Sequence, residues 1–261
     1  MDLSQAKHAF ITGGASGIGL GIADALAKRG IAVTIADINE EALKEVLATR
    51  GNQFRGIHLD TRDRDAWQKA KDEAEGAFGP VDILVNNAAV TFFIPVQDFP
   101  ERRYRLMQEV QVYSPFHLSQ IVMPSMRERG AGWIVNVSSG AARHPKPDSG
   151  GRGGTVYGMC KAALERFTTG LASEVYQDNI AVNVISPGLV ATPGTVFHNL
   201  VSGETHERET PVEHMAEACF KLVSEDPKTL TGRIDYAYDM MDEFKLTAQE
   251  LPLQPLSRPN G

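Results

Sequence analysis

Apolar runs of strand length alternate with longer amphipathic segments along most of this chain. Several runs are continuous and rich in Val and Ile, which indicates strands that are covered on both faces, as in a parallel sheet. We predict strands at His8–Thr12, Ala32–Ala36, Phe54–Leu59, Ile83–Asn86, Trp133–Val137, Ala181–Ile185 and near Arg233–Tyr236.

The segments between these strands have the periodicity and the end signals of helices. Gly17–Arg29 is followed by Gly30, and Asp63–Phe78 is followed by Gly79-Pro80, both of which are typical helix stops. Parallel neighbours need crossover connections, and these helices supply them. The pattern predicts an α/β protein with a doubly wound parallel sheet of about seven strands, helices on both faces, and a single domain over residues 1–261.

Two stretches depart from this alternation. Residues 143–154 (RHPKPDSGGRGG) are rich in Gly, Pro and charge, so we predict a loop insertion that either touches a substrate or is a surface feature. From about residue 239 we expect an irregular C-terminal tail, with Pro252, Pro255 and Pro259 beyond Thr247, either extended or loosely docked.

Composition narrows the classes of partner. The 261 residues carry a net charge of −7, with a pI of about 5.5, which argues against a nucleic acid or an anionic membrane surface as the main partner. Two cysteines, Cys160 and Cys219, suggest neither a disulfide framework nor a zinc cluster. The N-terminus lacks the pattern of a secretion signal, and no apolar run is long enough to span a bilayer. We expect a cytoplasmic protein.

A glycine-rich turn, Thr12-Gly13-Gly14-Ala15-Ser16-Gly17-Ile18-Gly19, lies between the first predicted strand and helix. Gly13 would permit the tight turn, and Gly17 and Gly19 would allow close backbone approach and helix–strand packing. Amide groups at the start of the helix favour an anionic pyrophosphate. The turn therefore predicts a dinucleotide site, and the alternative is a plain strand–turn–helix corner.

Asp37 ends the second predicted strand, roughly 20 positions beyond the glycine turn. Such a carboxylate can accept hydrogen bonds from the adenosine ribose hydroxyls and would repel a 2′-phosphate. Ser16 and Ile38, which we expect at the same site, bring no positive charge to neutralise one. The sequence therefore predicts NAD over NADP. The alternative for Asp37 is a helix N-cap, and both roles are compatible.

Tyr157 and Lys161 are four residues apart, so a helix would place them on one face. A phenol has a reference pKa near 10, and a nearby ammonium together with a positive nicotinamide ring would lower it. Tyr157 would then exchange a proton with an alcohol or ketone, and Ser139 would orient the substrate oxygen, with Ser138 the weaker candidate. His144, His198, His206 and His214 do not have metal-ligand spacing, and we expect no metal.

These motifs resemble those of the short-chain dehydrogenase/reductase family, and the match runs from about Lys7 to Arg233. Three further motifs carry the resemblance: Asn86-Asn87-Ala88-Ala89, Asn136-Val137-Ser138-Ser139, and Pro187-Gly188 followed by Thr192. The resemblance implies a Rossmann fold, catalytic roles for Ser139, Tyr157 and Lys161, and a homotetramer or homodimer. It also implies that cofactor contacts come from Gly13, Ser16, Gly17, Ile18, Gly19, Asp37, Ile38, Asp60, Thr61, Asn87, Ala88, Tyr157, Lys161, Pro187, Gly188, Val190 and Thr192. Asp60 would contact adenine, Asn87 would lie along the adenosine, and Val190 and Thr192 would contact the nicotinamide carboxamide.

The chain departs from the family pattern in three places. Gln111 occupies the position of a catalytic Asn that holds a water beside the lysine, so we expect reduced but not abolished turnover. The distance from Ser139 to Tyr157 is lengthened by the 143–154 loop, which would rim the substrate pocket. The usual Asp-Gly-Gly ending is replaced by Asp235-Tyr236-Ala237-Tyr238, which leaves the oligomer geometry open.

The sequence favours an NAD-dependent oxidoreductase that interconverts a secondary alcohol and a ketone. Apolar residues near the expected pocket favour a hydroxysteroid, a terpenoid or a hydroxyacyl compound, and they are Phe92, Phe93, Ile94, Val196 and Phe197. One alternative is a non-catalytic dinucleotide-sensing scaffold on the same fold, which Gln111 favours and the intact Ser139, Tyr157 and Lys161 oppose. A dehydratase or epimerase that uses the same tyrosine is a further alternative.

Overall fold

The computed structural model describes residues 7–148, 153–198, 200–201 and 209–252. In the described residues, seven parallel strands form one sheet in the order β3-β2-β1-β4-β5-β6-β7. The strands are β1 (His8–Thr12), β2 (Ala32–Asp37), β3 (Phe54–His58), β4 (Ile83–Asn86), β5 (Gly132–Val137), β6 (Ile180–Ser186) and β7 (Ile234–Tyr236). The predicted doubly wound sheet is confirmed, and the strand ends differ from the predicted ones by a residue or so.

Helices connect the strands and cover both faces of the sheet. They are α1 (Gly17–Ala27), α2 (Glu40–Arg50), α3 (Arg64–Phe78), α4 (Glu101–Gln108), α5 (Ser114–Arg129), α6 (Thr155–Glu174), α7 (Pro193–Phe197), α8 (Val212–Ser224) and α9 (Ala237–Glu243), with a π-helical turn at Glu109–Tyr113 between α4 and α5. None of the helices in the described ranges combines the length and the hydrophobicity that a bilayer span requires.

Two apolar cores lie on opposite faces of the sheet because successive side chains of a strand point to opposite sides. Ala9 and Ile11 of β1 face the core built with α1, α2, α8 and α9, whereas Phe10 faces the core built with α3, α5 and α6. Because helices cover both faces of the sheet, β1, β4, β5 and β6 are completely buried, which explains their continuous apolar runs.

The end of the chain is more regular than the sequence predicted. The tail expected from about residue 239 begins with helix α9, which continues to Glu243. Ala237 and Met240 of this helix are fully buried in the core, and such packing stabilises a short helix that has little intrinsic stability. Farther on, Leu251 is buried beside Ala25 and Ala216, so the described part of the tail is docked on α1 and α8.

The segment predicted as a loop insertion is described only in part. Residues 143–148 and 153–154 contain no helix or strand, and residues 149–152 lie outside the described residues. The guanidinium carbon of Arg143 lies 4.0 Å from the ring centroid of Tyr236, and Gly153 packs against the backbone of Phe93. The two ends of the loop are therefore fixed to β7 and to the segment that follows β4.

Candidate active site

The glycine turn between β1 and α1 has a backbone that requires glycine. Gly13 and Gly17 have positive φ angles of 61° and 52°. A Cβ atom on Gly19 would lie 2.2 Å from the carbonyl oxygen of Gly13, which no side chain can occupy. The hydroxyl of Ser16 makes no capping bond to α1, so the amides at the start of the helix stay available to an anion.

A hydrogen-bond network holds this turn from the neighbouring strand. The side-chain amide of Asn87 donates to the carbonyl oxygens of Thr12 and Gly13, at 3.0 Å and 2.9 Å. The hydroxyl of Thr12 accepts from the backbone amides of Asn87 and Ala88, both at 3.1 Å. Asn87 therefore orients the glycine turn through its side chain, a role that the sequence did not predict for it or for Thr12.

The turn opens into a cleft of about 630 Å³ at the carboxyl ends of β1, β2, β3 and β4. This is the place where ligands bind in doubly wound sheets. Eleven of the predicted cofactor residues line the cleft, namely Gly13, Ser16, Gly17, Ile18, Asp37, Ile38, Asp60, Thr61, Asn87, Ala88 and Thr192.

The other predicted cofactor residues do not line this cleft. Gly19 supports the turn from within α1, and Val190 is buried, with its carbonyl accepting the Thr195 hydroxyl at 2.8 Å. Gly188 lies so close to Thr210 that a Cβ would come within 2.2 Å of the threonine hydroxyl. Pro187, Tyr157 and Lys161 also lie outside the cleft lining.

Asp37 ends β2 with both carboxylate oxygens engaged by backbone amides. Oδ2 accepts from Ala15 of the glycine turn at 3.1 Å, and Oδ1 accepts from Asn39 at 3.0 Å. The alternative of Asp37 as a helix cap is wrong, because Asn39 caps α2 by accepting from Ala42 at 3.1 Å. Asp37 instead joins β2 to the glycine turn and brings a negative charge to the cleft.

Two arginines in the cleft were missed by the sequence reasoning. Arg62 pairs with Asp60 through several hydrogen bonds, which hold the pKa of that carboxyl below its ordinary value. Arg102 of α4 lines the cleft as well. No local pattern distinguishes either arginine from a surface arginine, because the crossover connections bring them to this edge of the sheet.

The predicted catalytic side chains meet where α6 packs against the end of β5. The Nζ atom of Lys161 lies 5.7 Å from the ring centroid of Tyr157 and donates to the carbonyl oxygen of Val137 at 2.9 Å. The side chains of Ser139 and Thr91 lie close enough to the phenol of Tyr157 to act on its pKa. The hydroxyl of Ser138 points elsewhere and donates to Glu165, so the structure places Ser139, not Ser138, beside the tyrosine.

Burial dominates the electrostatics of this site. Burial raises the pKa of Tyr157, and the nearby side chains of Ser139 and Thr91 act in the opposite direction. Burial lowers the pKa of Lys161 to about 8. The expectation that the lysine lowers the tyrosine pKa is therefore not met in this structure, because desolvation of both groups is the larger effect. A positive nicotinamide ring is the remaining group that would favour the phenolate.

Gln111 is buried in the π-helical turn and does not contact the tyrosine through a hydrogen bond. Its Nε2 atom donates to the carbonyl oxygen of Val90 at 3.0 Å, and its Oε1 atom has no hydrogen-bond partner among the described residues. π-Helical turns occur frequently at functional sites. The structure thus connects Gln111 to the cleft through Val90, which lines it.

The apolar residues expected at the substrate pocket have different environments. The ring centroid of Phe93 lies 6.2 Å from that of Tyr157 and 5.2 Å from that of His198. Phe92 packs into a small core around Met107, and Phe197 is 81% exposed. Phe93 therefore lies beside the tyrosine with His198 against its ring, whereas Phe92 is half-buried against the core around Met107 and Phe197 faces outward.

Among the described residues, no group of three or more His, Cys, Asp or Glu side chains forms a metal site. His206 lies outside the described residues. Cys160 and Cys219 are buried free thiols, and burial raises the pKa of both. Neither thiol is therefore activated as a nucleophile.

The residues present fit a nicotinamide dinucleotide. Gly13 and Gly17 line the cleft without side chains, the amides of α1 are free to meet a pyrophosphate, and Asp37 stands where a ribose would lie. Ser139 directly follows the end of β5, and Tyr157 lies on α6. This combination of a dinucleotide cleft and a tyrosine–lysine–serine group is that of a dehydrogenase.

Comparison with known proteins identifies the family. The family model described as short chain dehydrogenase matches residues 7–200. The chain belongs to the short-chain dehydrogenase family and is therefore an oxidoreductase.

Three relatives illustrate the range of this similarity. Cyclopentanol dehydrogenase of Comamonas sp. is 34% identical over 192 residues, which cover 72% of this chain and 75% of the relative. A structure of 7α-hydroxysteroid dehydrogenase complexed with NADH and 7-oxo glycochenodeoxycholic acid has a TM-score of 0.79 and 30% identity, and covers 88% of this chain and 92% of the other. L-Sorbose reductase from Gluconobacter frateurii, complexed with NADPH and L-sorbose, has a TM-score of 0.79 and 27% identity, and covers 88% of this chain and 94% of the other.

Proposed function

We propose that this protein is an NAD-dependent oxidoreductase that interconverts a secondary alcohol and a ketone. One observation carries the proposal: the Tyr157 phenol meets Ser139 and Lys161 where α6 packs on β5, next to a cleft that fits a dinucleotide. A sensing scaffold would need the cleft but not this group of side chains.

The chain's own residues would act on the substrate oxygen. The Ser139 hydroxyl would hydrogen-bond that oxygen, and Tyr157 would take the hydroxyl proton during oxidation or return it to the carbonyl oxygen during reduction. Lys161, held by its hydrogen bond to Val137, stands beside the tyrosine with Nζ 5.7 Å from the ring centroid. The nicotinamide, when bound, accepts or supplies the hydride.

The preference for NAD rests on Asp37. Its carboxylate is fixed at the end of β2 by two backbone amides, and it lines the cleft where an adenosine ribose would lie. Arg62, which could otherwise neutralise a 2′-phosphate, is already paired with Asp60. The relatives include proteins solved with NADH and with NADPH, so the argument depends on this chain's own residues.

For the substrate, we propose an apolar secondary alcohol such as a hydroxysteroid, a terpenoid or a hydroxyacyl compound. The Phe93 ring makes an edge-to-face contact with Tyr157 and another with His198, which gives the reacting tyrosine an aromatic neighbour. Similarity to dehydrogenases named for cyclopentanol and for a 7α-hydroxysteroid supports this class, whereas the similarity to a sorbose reductase makes short polar alcohols the main competitor.

The test is the absorbance of NADH after mixing purified protein with NAD and a panel of bulky and short secondary alcohols, with NADP in parallel. We expect a signal with NAD and with the bulky apolar alcohols, and its loss in Tyr157→Phe. A preference for short polar alcohols would overturn the substrate class. Tight NADH binding without turnover of any alcohol would favour the sensing scaffold.

We also propose that the protein is cytoplasmic and forms a homotetramer or homodimer. Large side chains are exposed on adjacent helices around the π-helical turn, namely Tyr104, Tyr113, Phe116 and Met159. Exposed apolar surface of this kind marks interaction sites in soluble proteins. Light scattering coupled to size exclusion would decide, and a monomer at micromolar concentration would contradict the proposal.

A further inference from the structure

Two residues on successive turns of α6 hold the end of β5. Lys161 donates to the carbonyl oxygen of Val137 at 2.9 Å, and Glu165 accepts the hydroxyl of Ser138 at 2.7 Å. Tyr157 lies one turn earlier on the same face. The helix that bears the tyrosine is therefore bonded to both residues that directly precede Ser139.

The position of Ser138 is defined from two sides. Its backbone amide donates to Ile185 of β6 at 2.9 Å, and its hydroxyl, which is buried with the rest of the side chain, donates to Glu165. After it, Ser139 accepts the amide of Ala141 at 3.2 Å and begins a short 3₁₀ turn. A shift of Ser138 would therefore move Ser139 directly.

Glu165 also acts on Lys161 through its charge. Burial lowers the pKa of Lys161, and the nearby Glu165 carboxylate opposes this and favours the ammonium. The other titratable side chains beside the ammonium are Tyr157 and Cys160, both on α6, whereas β5 offers the neutral carbonyl of Val137. One carboxylate thus serves both the serine side and the lysine side of the site.

We propose that Glu165 is a positioning residue for the oxidoreduction, because its hydrogen bond to Ser138 holds the end of β5 and sets Ser139 opposite Tyr157. The inference rests on the proposed function. It concerns a residue that touches neither the cleft nor the tyrosine, and that stands two helical turns beyond Tyr157.

The experiment is a double-mutant cycle of Glu165→Ala and Ser138→Ala, with kcat, KM, NADH affinity and thermal unfolding measured for each variant. We expect each single variant to lower kcat about ten-fold, the effect of about 1.4 kcal/mol that one hydrogen bond to a charged group can supply. Because both substitutions remove the same bond, the double variant should be no slower than the slower single variant. NADH affinity should stay within about two-fold, since the cleft is separate.

Two further variants separate positioning from a general loss of stability. Glu165→Gln keeps an oxygen that can accept the Ser138 hydroxyl, and it should recover about half of kcat. Thr168→Val removes a buried contact of the same helix with β5, in which Asn136 donates to the Thr168 hydroxyl at 2.8 Å. It should lower the unfolding temperature but leave kcat unchanged.

The outcomes distinguish this inference from the proposed function. If the wild-type protein turns over an alcohol but Glu165→Ala stays within two-fold, or if the two single effects add up in the double variant, the inference is wrong and the proposed function stands. If Thr168→Val lowers kcat as much as Glu165→Ala, the role is structural only. If the wild-type protein turns over nothing, both are overturned together.

Discussion

The side-chain amide of Gln111 donates a hydrogen bond to the carbonyl oxygen of Val90 at 3.0 Å. This bond joins the π-helical turn Glu109–Tyr113 to the segment after β4 that lines the dinucleotide cleft. The other end of the amide, Oε1, is buried without a hydrogen-bond partner in the described part of the chain. A buried polar atom left in this way costs free energy and calls for a functional explanation.

Replacing Gln111 by leucine tests the bond to Val90. Gln111→Leu keeps the bulk but leaves the Val90 carbonyl unpaired, so we expect the free energy of unfolding to fall by about 1–2 kcal/mol. NADH binding should weaken several-fold because Val90 lines the cleft. Denaturant unfolding and NADH fluorescence titration measure the two effects, and unchanged values in both would show that the bond has no consequence.

Replacing Gln111 by asparagine tests the hypothesis that glutamine is a handicap. Asparagine is the residue that the family resemblance implies at this position, so kcat is expected to rise in steady-state assays. The shorter side chain cannot keep the Val90 contact, and a small loss of stability should accompany the gain. An unchanged or lower kcat would contradict the hypothesis.

The importance of the glycine turn can be tested with an alanine substitution at Gly19 and a control substitution at Gly76. In Gly19→Ala the new methyl group would meet the Gly13 carbonyl at 2.2 Å, so the turn must move, at a cost of about 1–3 kcal/mol. NADH affinity should fall with it. Gly76→Ala, in α3, meets no atom within 4 Å and should stabilise the protein by about 0.5–1 kcal/mol. Calorimetry with and without NADH compares them, and equal behaviour of the two variants would refute the argument.

The buried lysine makes stability depend on pH in the alkaline range. The pKa of Lys161 is about 8 in the folded protein, below the ordinary lysine value of 10.5, so between these two pH values the unfolded chain binds more protons and stability rises with pH. The difference between the two pKa values corresponds to about 3 kcal/mol of destabilisation below pH 8. Replacing Lys161 by an uncharged residue should recover part of this free energy.

We therefore expect Lys161→Met to be inactive yet more stable than the wild-type protein at pH 7. This gain in stability should shrink as the pH approaches the pKa of lysine in the unfolded chain. Urea unfolding at a series of pH values measures this. A variant that is less stable than the wild-type protein at neutral pH would show that the bond to Val137 outweighs the desolvation of the ammonium.

Asp37 and Ile38 are expected to decide the cofactor preference. The pair Asp37→Ser and Ile38→Arg removes the carboxylate that would repel a 2′-phosphate and adds a cation at a position that is exposed and lines the cleft. The ratio of kcat/KM for NAD to that for NADP should fall by about a hundred-fold. Asp37→Asn, which keeps the acceptor oxygen for the Ala15 amide, should give an intermediate ratio, and a ratio unaffected by either change would place the selectivity elsewhere.

The strands, the crossover helices, the glycine turn and the pairing of Tyr157 with Lys161 could all be predicted from the amino-acid sequence. Each of these follows from a local pattern: a run of β-branched residues, a glycine where φ is positive, or a spacing of four residues on a helix. The placing of Asn39 as the cap of α2, in contrast, needed the observed end of β2. Either side chain, Asp37 or Asn39, is chemically able to cap a helix N-terminus.

The contacts between distant segments could not be predicted from local patterns and became visible in the folded chain. The tertiary structure brought Asn87 onto the glycine turn, Arg62 and Arg102 into the cleft, and Glu165 onto Ser138, and it gave α9 a core to pack against. Their partners are set by the strand order and by the register of neighbouring strands, which bring together residues far apart in sequence. A buried charge such as Lys161 likewise has its pKa set by the surrounding fold, because desolvation depends on every element that covers it.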